Sequence, residues 1–148
     1  TALLDNPALT TRLWPGNNPL RLVIDKELRL PQSLKLFDGS AKTIVFNYKK
    51  QSGSNNLVYQ LLNKEENTLT QILSFLYQQQ IQSLMVEGGT RLLQSFIDEG
   101  LWDEARVITN NEMEIEHGIS SPVLKNNLLM SQNNYLTDTV SFYKRIQS

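Results

Sequence analysis

Short runs rich in β-branched and aromatic residues alternate along this chain with segments whose apolar residues recur every three or four positions. The runs, each of strand length, cover residues 21–25, 43–48, 57–63, 82–87, 104–109 and 140–146. Alternating strands and helices pack as a mostly parallel central sheet flanked by helices. The sequence therefore predicts an α/β fold, with a right-handed crossover from residues 57–63 to 82–87. The final strand is expected to add antiparallel, at an edge or between neighbours.

Two amphipathic helices are predicted from the apolar spacing. The first stripe is Leu69, Ile72, Leu73 and Leu76, and the second is Leu92, Leu93, Phe96 and Ile97. Thr68 and Gln71 form a capping-box pattern at the start of the first helix, which should reach about Gln80. Gly100 is expected to end the second. Residues 1–19 and 110–134 read as loops, because breakers or weak patterning interrupt them.

Composition excludes several classes of protein. The chain has 148 residues, a length typical of one domain, so residues 1–148 are taken as one. A net charge of −1 gives no case for nucleic acid or an anionic membrane as partner, and no apolar run could span a bilayer. With no cysteine and a single histidine, His117, no metal site is expected. The lack of cysteine fits a reducing compartment.

Glu87 lies at the end of the predicted 82–87 strand, directly before Gly88, Gly89 and Thr90 open a helix. Ligands of open α/β sheets bind beyond the carboxyl ends of strands. The glycines permit positive φ, and the first N–H groups of the helix form an anion site. The alternative is that the Gly-Gly pair is only structural punctuation between strand and helix.

A second polar cluster occupies the N-terminal loop. Its members are Thr1, Asp5, Asn6, Thr10 and Arg12. One interpretation is a capped turn around Pro7. The other is a binding loop in which Arg12 presents its fork to a phosphate or carboxylate. Spacing alone does not decide between them.

Three blocks carry a resemblance to a known family: "TALLDNPALTTR", "NPLRLVIDKELRLP" and "VEGGTRLLQSFIDEGLWDEARV". In order and spacing they resemble the reductase domain of the bifunctional riboflavin-biosynthesis deaminase–reductase. The resemblance implies a dihydrofolate-reductase-like fold. It also implies NADPH-dependent reduction of 5-amino-6-(5-phosphoribosylamino)uracil, with hydride delivered to C1′ of the opened ribosyl chain.

The same resemblance implies roles for individual residues. The substrate would contact Leu9, Arg12 and Glu87. The cofactor would contact Thr1, Asp5, Gly89, Thr90, Arg91, Leu92, Leu93, Gln94 and Ser95, with Lys26 beside it. Glu87 would then orient substrate while the glycine turn and helix start hold the dinucleotide phosphates. No catalytic proton donor is assigned.

The chain departs from the family at its start. A first strand with a Lys-x-Ala-x-Ser-x-Asp-Gly-type motif is not present, and neither is the zinc deaminase that normally precedes the reductase. The chain is therefore expected to be a piece of a longer protein, and a poor catalyst alone.

Two other functions stay open from the sequence. One is a close variant that reduces the diaminopyrimidinone before deamination. The other is a non-catalytic nucleotide-binding or dimerisation domain of the same fold, in which Trp102 lies at an interface. In either case a cytoplasmic homodimer is expected.

Overall fold

The chain divides into two compact units, residues 1–84 and 85–148, which are described separately. The computed structural model describes residues 1–13, 15–113 and 117–146. Among these, no helix has the length and apolar character needed to cross a bilayer.

The first unit is built on a four-stranded sheet in the order β1-β2-β4-β3. β1, β2 and β4 run parallel, and the two-residue β3 pairs antiparallel with β4. The elements are α1 (Ala2–Asp5), β1 (Arg21–Ile24), a 3₁₀ turn (Lys35–Phe37), β2 (Thr43–Asn47), β3 (Ser52–Gly53), β4 (Leu57–Leu61) and α2 (Thr68–Gln78). The parallel sheet predicted from the sequence is confirmed here.

Every residue of β2 is buried, as expected for a parallel strand covered on both faces. On one face Ile44 and Phe46 pack against Ile72 and Leu76 of α2. The Phe46 ring meets Phe75 edge to face, with centroids 5.5 Å apart. The apolar stripe read from the sequence is therefore the one that α2 buries.

The other face of the sheet is closed around the side chain of Arg21, which is fully buried. Its Nε donates to Thr43 Oγ1 at 2.9 Å, and its Nη2 donates to the Ala41 carbonyl at 2.7 Å. Asp38 Oδ1 accepts from both terminal nitrogens at 3.1 Å. A buried charge is tolerated when it is paired and hydrogen-bonded, and Arg21 meets both conditions.

The N-terminal cap of α2 lies one residue earlier than predicted. Asn67, not Thr68, is the cap, and its side chain accepts from Thr70 N. Gln71 Nε2 still reaches back, to the carbonyls of Asn63 and Asn67. Thr68 instead places its hydroxyl 3.1 Å from the Tyr48 hydroxyl. Asn and Thr are both good caps, so local sequence could not separate them.

The second unit contains α3 and an antiparallel sheet in the order β5-β7-β6. The elements are α3 (Thr90–Asp98), β5 (Glu104–Asn110), β6 (Asn127–Tyr135) and β7 (Asp138–Arg145). Gly100, with φ of 64°, follows the end of α3 as expected. β7 joins between two neighbours, one of the two placements predicted for the last strand.

Two sequence predictions were wrong. The 82–87 segment belongs to neither sheet, so the expected parallel crossover into it is absent. Its apolar residues suit a strand, but a strand also needs partners for its backbone. Conversely, β6 occupies part of the predicted 110–134 loop, of which residues 114–116 lie outside the described chain. The chain thus contains a second, antiparallel sheet in addition to the predicted parallel one.

The Asp38 carboxylate should make stability depend on acid pH. Hydrogen bonds from the Ser40 hydroxyl and N–H, and then from Arg21, hold the pKa of Asp38 below its ordinary 3.8. A depressed carboxyl pKa contributes stability that is complete above about pH 4 and is lost as pH falls through the folded value. Asp38→Asn should therefore be less stable than the unaltered chain at pH 7, and the difference should shrink below pH 4. Urea unfolding at several pH values measures it.

Glu65→Gln is the control for this measurement, since Glu65 is an exposed carboxylate of the same unit. Its difference from the unaltered chain should stay small at every pH. A difference for Asp38→Asn that did not change with pH would contradict the interpretation.

Candidate functional site

The N-terminal predicted contacts begin on a single helical turn. The Thr1 carbonyl accepts from Leu4 N at 3.0 Å and from Asp5 N at 2.9 Å, so Thr1 and Asp5 bound the same turn, α1. Both side chains belong to exposed residues. The two residues that the resemblance assigns to the cofactor therefore lie together.

The loop after α1 is held by hydrogen bonds from residues later in the chain. Asn6 is left-handed (φ 41°), and its Oδ1 accepts from Lys35 N at 2.8 Å. The Ala8 carbonyl accepts from Arg21 Nη1 at 3.2 Å. Leu9 next to it has φ of 48°, a conformation that is rare for leucine. Such geometry persists when the surroundings fix it, and it is often found at ligand sites.

Arg12 is exposed at the far end of this loop. Its neighbour Thr11 is anchored, because its N–H donates to Asn18 Oδ1 at 3.0 Å and its hydroxyl donates to the Asn17 carbonyl at 3.1 Å. Asn18 in turn donates to the Ser40 carbonyl. The backbone is thus fixed while the guanidinium of Arg12 is presented to solvent.

Buried polar side chains shape the turns that follow the parallel strands. After β1, the Asp25 carboxylate accepts from the N–H groups of Arg29 and Leu30, both at 2.9 Å. After β2, Asn47 Oδ1 accepts from the N–H groups of Lys49 and Lys50, at 2.9 and 2.8 Å. These hydrogen bonds therefore fix the backbone of each turn where it leaves the sheet.

The turns that follow β1, β2 and β4 contain four lysines at the carboxyl ends of these strands. We call this group the lysine cluster: Lys26, Lys49, Lys50 and Lys64. Lys26 Nζ and Lys64 Nζ lie 5.4 and 5.5 Å from the centre of the Tyr48 ring.

Two of these lysines share a single carboxylate. Lys49 Nζ is 2.7 Å and Lys64 Nζ 4.0 Å from the Glu27 carboxylate. The hydrogen bond from Lys49 lowers the pKa of Glu27. The hydrogen bond with Thr68, and then Lys26 and Lys64, lower the pKa of Tyr48. The ammonium groups of Lys26, Lys49 and Lys64 therefore lie close to Glu27 or Tyr48 at this edge of the sheet.

Sequence reasoning placed Lys26 beside the cofactor but missed the other three lysines. Each follows a strand by two or three residues, at the edge where parallel sheets bind ligands. That position was the signal that could have found them.

The predicted contacts of the second unit lie along one continuous segment. Glu87 is exposed in the irregular stretch before α3. A Cβ added at Gly88 would lie 2.6 Å from Leu92 Cδ2, so glycine gives this turn room against the helix. Gly89 is the N-cap, with φ of −60° and ψ of 166°. Neither glycine uses the positive φ that it permits, and Gly88 instead leaves room for the side chain of Leu92.

The start of α3 is open to an anion, since none of the described side chains caps it. The N–H groups of Leu92 and Leu93 already bond to the Gly89 carbonyl, at 2.9 and 3.2 Å. The backbone N–H groups of Gly89, Thr90 and Arg91 are therefore the ones in the first turn that could bind an anion.

The remaining predicted contacts of α3 have internal partners. Gln94 pairs with the backbone of Val123 through both ends of its amide. The Ser95 hydroxyl donates to the Arg91 carbonyl at 2.9 Å, and the Thr90 hydroxyl donates to the Ser120 carbonyl at 3.1 Å. Their contacts with cofactor stay predictions, and any bond from these side chains would replace one already made.

The structure thus forms two groups of predicted contacts. In the first unit, the loop carries Thr1, Asp5, Leu9 and Arg12, while Lys26 lies in the lysine cluster. In the second unit, Glu87 and the residues from Gly89 to Ser95 form one joint. A groove of about 460 Å³ between β4 and α2 is lined by none of them.

Curated relatives align with most of the length of this chain. The RibD of Aquifex aeolicus (strain VF5), a riboflavin biosynthesis protein, is 38% identical over 108 residues, covering 70% of this chain and 30% of that protein. The 2,5-diamino-6-ribosylamino-4(3H)-pyrimidinone 5′-phosphate reductase of Archaeoglobus fulgidus is 31% identical over 123 residues, covering 72% and 56%. The chain therefore spans less than two thirds of the length of either relative.

Solved structures and a family profile agree with these relatives. The diaminohydroxyphosphoribosylaminopyrimidine deaminase/5-amino-6-(5-phosphoribosylamino)uracil reductase of Thermotoga maritima superposes with a TM-score of 0.80 over 97% of this chain and 42% of that chain, at 23% identity. That likeness establishes the fold. The profile described as the RibD C-terminal domain matches residues 1–110, which confirms the resemblance read from the three sequence blocks. The chain belongs to the family of RibD C-terminal domains, with a dihydrofolate-reductase-like fold.

Proposed function

We propose that the chain is a reductase domain that uses NADPH to convert 5-amino-6-(5-phosphoribosylamino)uracil into 5-amino-6-(5-phosphoribitylamino)uracil in riboflavin biosynthesis. The observation that carries the proposal is the family match over residues 1–110, which includes both the N-terminal loop and the joint at Glu87. The Aquifex relative is named for the same pathway. A chain without cysteine suits the reducing cytoplasm, where we place it.

The diaminopyrimidinone is the second candidate substrate. The reductase of Archaeoglobus fulgidus is named for it, as is that of Methanothermobacter thermautotrophicus, at 32% identity over 72% of this chain. The two compounds differ on the pyrimidine ring and share the phosphorylated ribosyl group. The same loop and joint would therefore serve either one.

The residues at the start of α3 fit a dinucleotide phosphate. None of the described side chains caps this helix. Because residue 88 is glycine, the side chain of Leu92 can pack directly against the turn before the helix. Free N–H groups and the helix dipole favour an anion at this point. When bound, NADPH would supply the hydride that reduces C1′. The chain's part is to hold and orient the two ligands and to exclude water.

The lysine cluster supports NADPH over NADH. The two cofactors differ by a 2′-phosphate. Lys26 and Lys64 lie beside the Tyr48 ring at the carboxyl edge of the sheet, where ligands of parallel sheets bind, and Lys49 and Lys64 share the Glu27 carboxylate. Lys26 was already expected beside the cofactor. We therefore assign the cluster to the 2′-phosphate.

Substrate contacts follow from the chemistry of the remaining residues. Arg12 presents five N–H donors to solvent, a geometry that matches a phosphate. Glu87 is an exposed acceptor for the N–H groups of the pyrimidine. Separating these roles keeps the carboxylate of Glu87 away from the phosphate that it would repel.

A homodimer is the assembly we propose, formed along β6. This strand is nine residues long and lies at an edge of its sheet, where it pairs with β7 on one side and with no other strand of the described residues. It contains no charged residue, and Leu128, Leu129 and Met130 are each about half exposed. A long edge without charges favours pairing with another strand, and a second copy offers a partner of the same composition.

Turnover tests the proposed activity directly. NADPH oxidation is followed at 340 nm with each of the two substrates in turn, using the full chain. We expect slow oxidation that depends on one of them, since the chain alone is expected to be a poor catalyst. NADPH binding without oxidation of either would favour a non-catalytic nucleotide-binding domain.

Gly89 distinguishes a ligand site from structural punctuation. Gly89→Asp suits the backbone of an N-cap and should stabilise α3 by a few tenths of a kcal/mol or more. The new carboxylate would occupy the phosphate position, so we expect the Kd for NADPH to rise about tenfold or more, which is 1.4 kcal/mol or more. Fluorescence titration and thermal unfolding measure the two effects.

Gly89→Asn is the matched control, because asparagine caps equally well without charge. It should weaken NADPH much less than Gly89→Asp does. If both variants bound NADPH like the unaltered chain, the glycine would be punctuation only.

Lys26→Gln tests the assignment of the lysine cluster. An exposed ion pair contributes about 0.2–1 kcal/mol, so the Kd for NADPH should rise by up to about fivefold while that for NADH stays unchanged. Lys42→Gln is the control, since Lys42 is exposed at the opposite, amino end of β2. Equal weakening of both dinucleotides by Lys26→Gln would remove the assignment.

The dimer is tested by sedimentation. A lysine on an edge strand opposes strand pairing, so Leu129→Lys should shift the chain from dimer to monomer. Met85→Lys, which alters an exposed side chain outside the sheet, should leave the dimer intact. A monomeric unaltered chain at about 100 μM would overturn the proposal.

A further inference from the structure

The guanidinium of Arg21 reaches the N-terminal loop through one bond. The two hydrogens of Nη1 are shared among the Ala8 carbonyl at 3.2 Å, the Lys35 carbonyl at 2.9 Å, Asp38 Oδ1 at 3.1 Å and Ser40 Oγ at 3.4 Å. The other donors of Arg21 go to Thr43, Ala41 and Asp38 within the sheet and its cover. Most of the hydrogen bonding of Arg21 therefore serves the core, and one bond leaves it for the loop.

That one bond ends beside the residues expected to contact substrate. Ala8 directly precedes Leu9, whose φ of 48° places it in a strained region. Arg12 follows three residues later. The other ties of this loop act at its two ends, on Asn6 and on Thr11. The middle of the loop is thus fixed by Arg21.

We propose that Arg21 is a positioning residue for the reductase: its buried guanidinium holds the Ala8 carbonyl and so sets the backbone of Leu9 and the direction of Arg12 toward the phosphorylated substrate. The inference rests on the proposed function for the substrate contacts. The cofactor side is less affected, because Thr1 and Asp5 are held by the bonds of α1 itself and by Asn6.

Arg21→Lys tests the inference, because lysine keeps the charge and most of the stem but cannot form the fork. We expect the KM for the phosphorylated substrate to rise about tenfold, with the KM for NADPH changed by less than about threefold and a smaller change in kcat. Hydrogen exchange should quicken at the amides of residues 9–13 while β2 stays protected.

Two further variants separate positioning from folding. Thr43→Val removes a bond of Arg21 that faces the core, since Thr43 Oγ1 accepts from Nε and donates to the Leu36 carbonyl. It should lower stability without changing the substrate KM or exchange in the loop. Asp38→Asn keeps an exposed acceptor and is expected to fold even if Arg21→Lys does not. It should shift substrate KM in the same direction by a smaller factor.

The outcomes are distinct. A substrate KM that rises equally in Thr43→Val would show a purely structural role and overturn the inference. Unchanged KM and unchanged loop exchange in both Arg21→Lys and Asp38→Asn would also overturn it. If the unaltered chain reduced neither substrate, the proposed function would fail, and the exchange measurements would still decide whether Arg21 holds the loop.

Discussion

A single buried cation organises one face of the first unit. Arg21 donates to carbonyls of the loop before β1 and of the segment between β1 and β2, and to the hydroxyl of Thr43 in β2. A desolvated guanidinium must satisfy its five donors, so the segments that supply acceptors are drawn to it. These segments have little regular secondary structure of their own, and their hydrogen bonds to Arg21 hold them as an ordered layer over one face of the sheet.

The same logic of satisfying polar groups shapes the rest of the candidate site. Asp25 and Asn47 use their side chains to end β1 and β2 and to direct the turns that follow. At the start of α3 the opposite holds: the described side chains leave the N–H groups open. Where the fold closes its own hydrogen bonds it forms a rigid scaffold, and the start of α3, where it does not, is the place at which we propose that a ligand binds.

Local pattern explains what could be predicted. The β-branched runs of β1 and β2 and the apolar stripe of α2 each carry their own signal, and the structure contains all three. The 82–87 segment carries a strand signal too, yet pairing depends on distant chain and is absent. β6 was missed because its later half, residues 131–134, is polar on both faces. Strand pairing between segments that are distant in sequence cannot be predicted from a window of about ten residues.

Arg21 shows the same limit for the candidate site. A charged residue at the start of a strand is ordinarily exposed, and the acceptors that bury this one lie 13 to 22 positions away in sequence. The start of α3 after Gly89 could be predicted because the residues that form it are adjacent in sequence, whereas the contact of Gly88 with Leu92 could not.

The lysine cluster carries a further consequence. Lys49, Lys64 and Glu27 are each between about one third and three fifths exposed, so their field reaches solvent and is open to mobile ions. At 0.1 M ionic strength such fields decay over about 10 Å, and at 1 M over about 3 Å. Any preference of this edge for the more highly charged dinucleotide would therefore become smaller in concentrated buffer.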